Sequence, residues 1–301
     1  MWFKNSHIYQ LPKNFKLSAD EIAERLSNKR FITCGRTNDK TIGWVSPIHR
    51  NHEYLVHAAG GCILFCMRKE QKVIPASAVK EAVEEKITLL QDELGRKIYS
   101  KEKKSIKDDI VSMMLPNAFA RSTHVRAYFD TMRKLLVIDS SSAAQVDEFY
   151  ELLIESIGSF GALPLTAAEN PSLILNQWIL KSPPKEWMLN GEYLLKDPKD
   201  DRVARFKDHD VSNPFVADLL ADGYSTSRLG IQFKEQLSAI IQESLQISSL
   251  KFEQKLLNEN DELKGEDALL KFDADFALMT GCLGEFIEEL QNIFIKEIKE
   301  Q

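Results

Sequence analysis

The sequence predicts an α+β fold of mixed or antiparallel sheets with packed helices and one inserted helical hairpin. Three observations predict this class. Apolar and polar residues alternate through much of the first 75 positions, which is typical of half-buried strands. From position 76 to position 115, apolar residues instead recur every three or four positions, as on amphipathic helices. Alternation returns near His124, so the helical stretch interrupts a sheet to which both flanks belong.

The first 75 residues predict strands and one helix. Ser18 and Glu21 have the spacing of a capping box, and Gly60-Gly61 is suited to a tight hairpin turn. The predicted elements are a strand over 1–11, a helix over 18–28, a short strand over Phe31–Gly35, and a hairpin of Tyr54–Ala58 with Cys62–Val73.

Residues 76–117 predict a helical hairpin inserted into this sheet. Gly95 separates two apolar stripes, and Pro116 ends the second of them. The stripes consist of Val79, Val83, Ile87, Leu90 and Leu94 in the first helix and Ile106, Ile110, Met113 and Met114 in the second. Because each stripe covers one side of its helix, we expect the two helices to pack together through them.

The rest of the chain predicts the end of the first sheet and then a second α+β unit. The elements expected are strands His124–Phe129 and Leu135–Asp139, a helix over 142–156, a helix over 171–180, strands over 187–195 and 202–207, three strands between 228 and 252, and a long helix over 273–298. A glycine-containing loop at 158–161 predicts a boundary. The expected domains are an N-terminal domain of residues 1–75 and 118–160, the hairpin of residues 76–117, and a C-terminal domain of residues 161–301.

Charge is distributed unevenly along the chain. The formal net charge is −6, yet residues 1–134 carry 24 basic and 15 acidic side chains, a net of +9. The other 167 residues carry 15 basic and 30 acidic side chains, a net of −15. Such asymmetry indicates a part that faces a polyanion joined to an acidic part. The acidic total therefore does not exclude a nucleic-acid partner.

The densest basic run covers residues 96–107 and holds six cations and one acid. The cations are Arg96, Lys97, Lys101, Lys103, Lys104 and Lys107. On a helix, Lys97, Lys101 and Lys104 would lie within about 60° of one another and opposite the apolar stripe. Such a face suits a phosphate backbone, because each neutralised phosphate releases counterions and no base need be read. The alternative is an ordinary solvated helix surface, helped by Asp108 and Asp109.

The junction after the hairpin, residues 115–121, places Phe119 just beyond Pro116. Two interpretations are open for this ring. It plugs the hairpin into the core, or it is an exposed anchor for a partner subunit, since aromatic residues are favoured at interfaces.

Two patterns that resemble metal sites have simpler interpretations. Cys62 and Cys66 on one strand would be about 13 Å apart, too far to share a zinc ion. This holds although His49, His52 and His57 precede them. Asp273 and Asp275 are expected at a helix start, where acids favour the helix dipole. We therefore expect no metal, no cofactor and no catalytic residue, and the four cysteines as buried thiols of a reducing compartment.

Neither a membrane span nor a nucleotide loop is expected. The segment Gly281-x2-Gly284 lacks the lysine of a phosphate-binding loop. No run approaches the roughly 18 apolar residues that a spanning helix needs, and residues 1–11 alternate instead of forming a signal sequence. The expected location is the cytoplasm.

Four motifs in order along the chain resemble the bacterial recombination-associated RdgC family. They are Trp2–Asn5, Phe31–Gly35 with Gly43–Pro47, Leu115–Arg121, and Phe272–Gly281. The resemblance covers essentially the whole length at similar spacing. Asn117 stands where some relatives are expected to have a basic residue.

The resemblance implies a non-enzymatic protein that binds double-stranded DNA without strong sequence preference. Horseshoe-like subunits would pair into a closed homodimeric ring around the duplex, associate with the nucleoid and restrain RecA-promoted strand exchange. The six cations of the basic run would form its tip. Arg68, Lys69, Lys72 and Arg121 would be further DNA contacts, and Phe119 would lie near a subunit contact.

Two other function classes remain open from the residues alone. In a protein-interaction scaffold, the acidic second half would be the working surface and the lysine face would only be solvated. A nucleotide-dependent enzyme is disfavoured by the missing phosphate loop and by the lack of an acid/base pair.

Overall fold

The structure is a computed structural model that describes residues 1–48, 53–200, 202–207, 214–259 and 268–295. These residues form eight α-helices, one sheet of seven strands and one of five. Neighbouring strands in both sheets are antiparallel. The predicted α+β class with antiparallel sheets is confirmed.

The first sheet has the strand order β2-β4-β5-β6-β1-β7, with β3 also paired to β4. Its strands are β1 (His7–Gln10), β2 (Lys40–Val45), β3 (Val56–Ala59), β4 (Cys62–Val73), β5 (Phe119–Asp130), β6 (Leu135–Asp139) and β7 (Leu163–Pro164). Strands β4 and β5 pair along their whole length, from Cys62 opposite Asp130 to Val73 opposite Phe119. The predicted hairpin at Gly60-Gly61 is confirmed, since β3 and β4 pair on either side of it.

Two helices, α1 (Ala19–Ser27) and α4 (Ala143–Ile157), cover one face of this sheet. The predicted capping box of α1 is present, because Ser18 and Glu21 bond each other's backbone amides. Between the helices and the sheet, the rings of Trp44, Phe65 and Phe149 lie within 5.7 Å of one another, centroid to centroid. This face is a closed apolar layer.

The second sheet has the order β12-β11-β10-β8-β9. Its strands are β8 (Trp187–Lys196), β9 (Val203–Phe206), β10 (Ser225–Phe233), β11 (Leu237–Gln242) and β12 (Ile247–Phe252). Three helices accompany it: α5 (Pro171–Lys181), α6 (Pro214–Ala221) and α7 (Gln254–Asn258).

The last helix, α8 (Ala268–Phe294), contacts both sheets. Its Phe276 ring meets Tyr128 of β5, and its Phe286 ring meets Trp187 of β8. The buried apolar residues around α8 therefore form one core cluster that includes residues on both sides of position 160. The division into domains stays a prediction.

The helical hairpin consists of α2 (Ala76–Leu94) and α3 (Ser100–Met114), which pack against each other. Gly95 ends α2 in the left-handed conformation, with φ of 62°. A 3-10 turn over Leu115–Asn117 follows α3 and leads into β5. The insertion predicted from the apolar spacing is thus present between β4 and β5.

The strand predicted over Phe31–Gly35 was wrong. Only one parallel bridge, Arg30 to Trp44, forms there, and the strand is Lys40–Val45 instead. Gly43 explains the close crossing, since a Cβ at that position would lie 2.5 Å from the Cα of Phe31. The chain crosses the edge of β2 at this point and leaves the sheet.

The strand predicted over residues 1–11 is shorter than expected. β1 begins at His7 because the backbone before it is bonded elsewhere. The amides of Lys4 and Asn5 donate to Asp139 Oδ1, at 3.1 and 2.9 Å, and Ser6 pairs with Ile247 of β12. The first six residues therefore join the two sheets.

The carboxylates Asp273 and Asp275 do not start a helix, because α8 already includes Ala268. Asp273 Oδ1 lies 3.1 Å from His57 Nε2 of β3, and Asp275 Oδ2 lies 3.5 Å from the amino group of Met1. Both acids thus join α8 to the first sheet and its N-terminal segment.

Candidate nucleic-acid interface

Helix α3 presents lysines without counter-ions. Lys101, Lys103, Lys104 and Lys107 are exposed, and among the described residues none of them forms an ion pair. Lys101 and Lys104 are three positions apart and so lie about 60° apart around the helix. Ile110 of the same helix is buried against α2. One side of α3 packs, while the other carries exposed lysines that form no ion pair within the described residues.

Lys97 is not part of that helical face. α3 begins at Ser100, with Tyr99 as its N-cap, so the wheel position predicted for Lys97 was wrong. The reason is the turn after Gly95, which buries Ile98 and delays the helix. Lys97 itself is exposed in this turn.

Arg96 forms an ion pair with Glu102, which lies near the same turn of the hairpin. Its guanidinium donates to both oxygens of Glu102, at 2.7 and 3.1 Å, and lies over the Tyr99 ring. Glu102 also accepts from the Tyr99 amide at 2.9 Å. The hydrogen bonds from Arg96 and Tyr99 lower the pKa of Glu102 to about 2. Arg96 therefore stabilises the hairpin turn.

Two cations of β4 are also paired. Arg68 donates to Glu70 at 3.0 Å and to the Ser122 hydroxyl, and its guanidinium lies 4.3 Å from the Phe31 ring centroid. Lys69 lies 2.8 Å from Glu148 of α4. Burial opposes ionisation of Glu148, but hydrogen bonds from Lys69 and from Lys40 outweigh it, so its pKa is lowered.

The ammonium group of Lys72 is hydrogen-bonded to two backbone carbonyl groups. Its ammonium donates to the carbonyl oxygens of Arg36, at 2.8 Å, and Leu115, at 2.9 Å. These bonds occupy two of its three donors.

Arg121 is the predicted strand cation that has no ion-pair partner among the described residues. It lies on β5 opposite Gln71, with an exposed side chain. Together with Lys69, Thr123 and Gln145 it lines an open surface cavity of about 430 Å³. An anion could approach Arg121 there without displacing an acid.

Phe119 is 89% exposed at the first position of β5. The core-plug interpretation is therefore wrong, because the strand extends beyond the layer that α1 and α4 cover. The hairpin itself carries an apolar groove of about 500 Å³, lined by Leu89, Leu90, Ile106 and Met113. Met113, expected in the packed stripe, is 71% exposed on this groove.

A second cationic surface was not predicted from the sequence. A groove of about 480 Å³ crosses the open face of the second sheet and is lined by Arg205, Lys207 and Arg228, with Asn5 and Ser141 from the first half. The available signal was the spacing of two between Arg205 and Lys207, which places both on one face of an extended segment.

Three of the four cysteines have the expected burial, whereas Cys34 is only half-buried, so the predicted burial was wrong at that position. Cys62 and Cys66 are buried, and burial raises the pKa of each thiol to about 12, which leaves them unreactive at neutral pH. His49 and His52 lie outside the described residues. Within the part of the chain that the structure describes, no three acidic, histidine or cysteine side chains are grouped to hold a metal. No helix in those same ranges has the length and apolarity of a membrane span.

The fold and the charge distribution define a two-sheet α+β protein with a helical hairpin whose second helix carries exposed lysines, and the known proteins that it resembles are named as associated with recombination. A family model described as "Putative exonuclease, RdgC" matches residues 1–297. The chain belongs to the RdgC family.

Three relatives carry the name "Recombination-associated protein RdgC". The protein from Aeromonas hydrophila is 33% identical over 297 residues, covering 96% of this chain and 96% of its own length. The Tolumonas auensis protein is 34% identical, covering 96% of this chain and 97% of its own. The Pasteurella multocida protein is 34% identical, covering 98% and 97%. The resemblance found in the four motifs is confirmed over nearly the whole chain.

Proposed function

We propose that this chain is a double-stranded DNA-binding protein without sequence preference, which acts as a ring-shaped homodimer and negatively modulates RecA-promoted strand exchange. The observation that carries the proposal is the set of exposed α3 lysines that form no ion pair with an acid of the described residues. In a chain of net charge −6, such a cluster favours one polyanionic partner at one surface. The relatives' printed name, "Recombination-associated protein RdgC", supports DNA as that partner.

The types of side chain support binding without sequence reading. Lysine ammonium groups are point charges that suit phosphates, whereas base recognition depends on bidentate arginine, asparagine or glutamine. The α3 face presents Lys101 and Lys104, and the strand cavity adds Arg121. The groove of Arg205, Lys207 and Arg228 is a second surface of the same sign. We assign these side chains to backbone contacts.

In this proposal, the cations that already form ion pairs contribute less to DNA binding. Arg96, Arg68 and Lys69 already have carboxylate partners, and exchanging one anion for another releases less free energy than neutralising a free charge. We therefore expect the predicted contacts Lys97, Lys101, Lys103, Lys104, Lys107 and Arg121 to contribute most of the affinity.

The dimer is supported by two complementary features. Phe119 is an exposed ring on the connection between the hairpin and the sheet, and the hairpin carries an apolar groove. In a two-fold symmetric pair, the ring of one subunit meets the groove of the other, and the reverse contact forms by symmetry. A horseshoe-like subunit, which the family resemblance implies, would close around a duplex when joined in this way.

Inhibition of RecA follows from occupancy. A protein that encloses duplex DNA keeps it from the strand-exchange filament, and no direct contact with RecA is needed. The expected location is the nucleoid in the cytoplasm.

A salt titration of duplex binding tests the proposal. The logarithm of the binding constant should fall steeply and linearly with the logarithm of salt concentration, and Lys101→Glu with Lys104→Glu should flatten that slope. The matched control is Lys181→Glu with Lys185→Glu, which makes the same charge change on exposed lysines of the acidic half. Binding that is indifferent to salt and to the α3 pair would contradict the assigned surface.

Two other candidate functions are each favoured by one observation. The net of −15 in residues 135–301 favours the protein-interaction scaffold, and a gel shift on plain duplex decides against it if the DNA is retarded. The description of the family model favours an exonuclease. End-labelled duplex incubated with Mg²⁺ or Mn²⁺ should stay intact if the chain only binds, and stepwise shortening would establish the enzyme instead.

A further inference from the structure

We propose that Lys72 is a positioning residue that fixes the orientation of the helical hairpin against the first sheet, and that it is not a phosphate contact. The inference deepens the proposed DNA-binding function and rests on it, because the hairpin carries the α3 lysines.

Lys72 joins three segments of the chain. It lies on β4 next to the last residue, Val73. Its ammonium donates to the carbonyl of Arg36 in the loop before β2, at 2.8 Å. It also donates to the carbonyl of Leu115 in the 3-10 turn after α3, at 2.9 Å. Its backbone amide donates to Asp39 of the same loop, at 2.8 Å.

These bonds lie where the hairpin has few other attachments. The chain enters α2 through Ile74 and Pro75 and returns to β5 through residues 115–118. The main packing partners of α2 and α3 are each other and the 3-10 turn. Between the base of the hairpin and the sheet lies an open cavity of about 460 Å³, lined by Asp39, Val83 and Lys107 among others. Apolar packing therefore restrains the hairpin weakly at its base.

Lys72 restrains the hairpin through its hydrogen bond to the Leu115 carbonyl, which is part of the 3-10 turn after α3. The same oxygen accepts the Ala118 amide at 3.2 Å, which closes the 3-10 turn. A charge-assisted bond to this oxygen fixes the turn itself, and the direction of α3 follows from the turn. Without the ammonium, the half-buried carbonyl of Leu115 and the exposed carbonyl of Arg36 would rely on water, and the turn could adopt several orientations.

The restraint has a functional consequence. The hairpin presents Lys101 and Lys104 at one end, and its return connection leads directly into Phe119. Its angle therefore sets where the cations and the ring lie relative to the strand cavity of Arg121. Lys72 acts through these groups.

A distance measurement on the free protein tests the inference. Spin labels are placed at two exposed positions, Asp92→Cys on α2 and Glu151→Cys on α4, in a Cys34→Ser background, because the other three cysteines are buried. Labelled chains are diluted with unlabelled ones so that only distances within a chain are read. Lys72→Met, which keeps the length of the side chain but not its donors, should broaden the distance distribution, and Lys72→Arg should restore it at least in part.

Lys101→Met is the matched control, since it removes an exposed lysine of the same hairpin. It should leave the distance distribution unchanged and lower the slope of duplex binding against salt by about one. The inference is overturned if Lys72→Met keeps the narrow distribution and lowers the salt slope as Lys101→Met does. If Lys72→Met does not fold, Lys72→Gln is compared in the same way, because its shorter amide cannot span both carbonyls.

The distance readout needs no DNA. If no variant and no wild-type protein binds duplex, the proposed function fails, yet a broadened distribution in Lys72→Met still establishes the positioning role. If duplex binds but the distribution is unchanged, only the positioning role fails.

Discussion

The ion pair between Arg96 and Glu102 fixes the turn of the hairpin. Glu102 accepts from the Arg96 guanidinium and from the Tyr99 amide that begins α3. Both bonds need the ionised carboxylate, so this turn depends on pH. Because the Arg96 and Glu102 side chains are partly exposed, we expect the loss of this ion pair to loosen only the turn of the hairpin.

We predict that the start of α3 loosens in acid. The folded pKa of Glu102, about 2, is below the usual value of 4.5 for the free group, so its stabilising effect is complete above about pH 4.5 and is lost as the pH falls toward 2. The protection of the Tyr99 and Lys103 amides, measured as the exchange rate relative to the intrinsic rate at the same pH, should therefore fall over this range. Glu102→Gln should show low protection of these amides already at neutral pH and little further loss in acid. An identical pH response in both proteins would contradict the assignment.

We predict that Phe119→Ala weakens dimerisation without unfolding the chain. The ring is 89% exposed, so its removal leaves no cavity in the subunit and takes away an interface anchor. Mass in solution, measured across a dilution series, should shift toward the monomer. The control is Ile32→Ala, which truncates another side chain with 74% exposure. A variant of Phe119 that stays dimeric at every dilution speaks against the contact.

The sequence identified which residues are basic, but it could not show which of them are neutralised. Glu102 is six positions from Arg96, within reach of sequence reasoning. Lys69 pairs with Glu148, which is 79 positions away, and Lys72 donates to the carbonyl of Arg36, which is 36 positions away. Such partners depend on the order of strands in the sheet. Pairing of β4 with β2 and packing of α4 on the sheet decide the role of each lysine.

At the scale of elements, α8 contacts both sheets, and one of its glycines packs closely against an arginine of the first half. Gly284 is buried, and a Cβ there would lie 2.6 Å from the Arg133 guanidinium carbon. Arg133 is in turn paired with Asp130, which is 2% exposed. Gly281, one turn earlier, is exposed and has nothing within 4 Å of the Cβ position.

We predict opposite effects of alanine at these two glycines. Gly281→Ala should raise the free energy of unfolding by up to about 1 kcal/mol, because alanine is the better helix former. Gly284→Ala should lower it by roughly 1–3 kcal/mol, since the new methyl group displaces Arg133 from the buried Asp130 carboxylate. Urea titrations of both variants measure the two changes. Equal stabilisation by both would show that Arg133 moves aside without cost.

Periodicity identified most elements because packing imposes it directly. The hairpin helices, α4, and the strands of the second sheet all follow apolar spacing that a single face requires. The exceptions occur where the backbone is fixed by remote partners. Phe31–Gly35 has strand composition but crosses the edge of β2 beside Gly43, and residues 1–6 bond to Asp139 and β12. The groove of Arg205 and Arg228 arises from two strands that are distant in sequence.

At the scale of the whole molecule, the net charge of −6 is the sum of two unlike parts. Under the proposed function, the acidic part would repel DNA from its own surface, and the basic part would attract it to a limited one. Binding confined in this way is compatible with enclosure of the duplex by a ring.

We predict that the shape of the DNA decides how long a complex survives. A closed ring slides off the ends of linear duplex but stays on a covalently closed circle after the salt concentration is raised. Cutting the bound circle once with a restriction enzyme should release the protein. Linear DNA with bulky blocks at both ends is the control and should retain it. Equal loss from circles and from unblocked linear duplex would exclude a topological link.

The contacts of α8 also constrain how the chain can fold during synthesis. The amide of Phe3 donates to Met279 Sδ, 276 positions later, and the inner face of the first sheet is covered by residues of α8. The hairpin, built from contacts within 40 residues, can form soon after it leaves the ribosome, whereas the sheet beside it keeps an uncovered apolar face until α8 emerges. A nascent chain is therefore most prone to aggregate in the interval between these two events. Synonymous changes that slow translation of codons 165–267 should lower the yield of folded protein more than equal delays before codon 60.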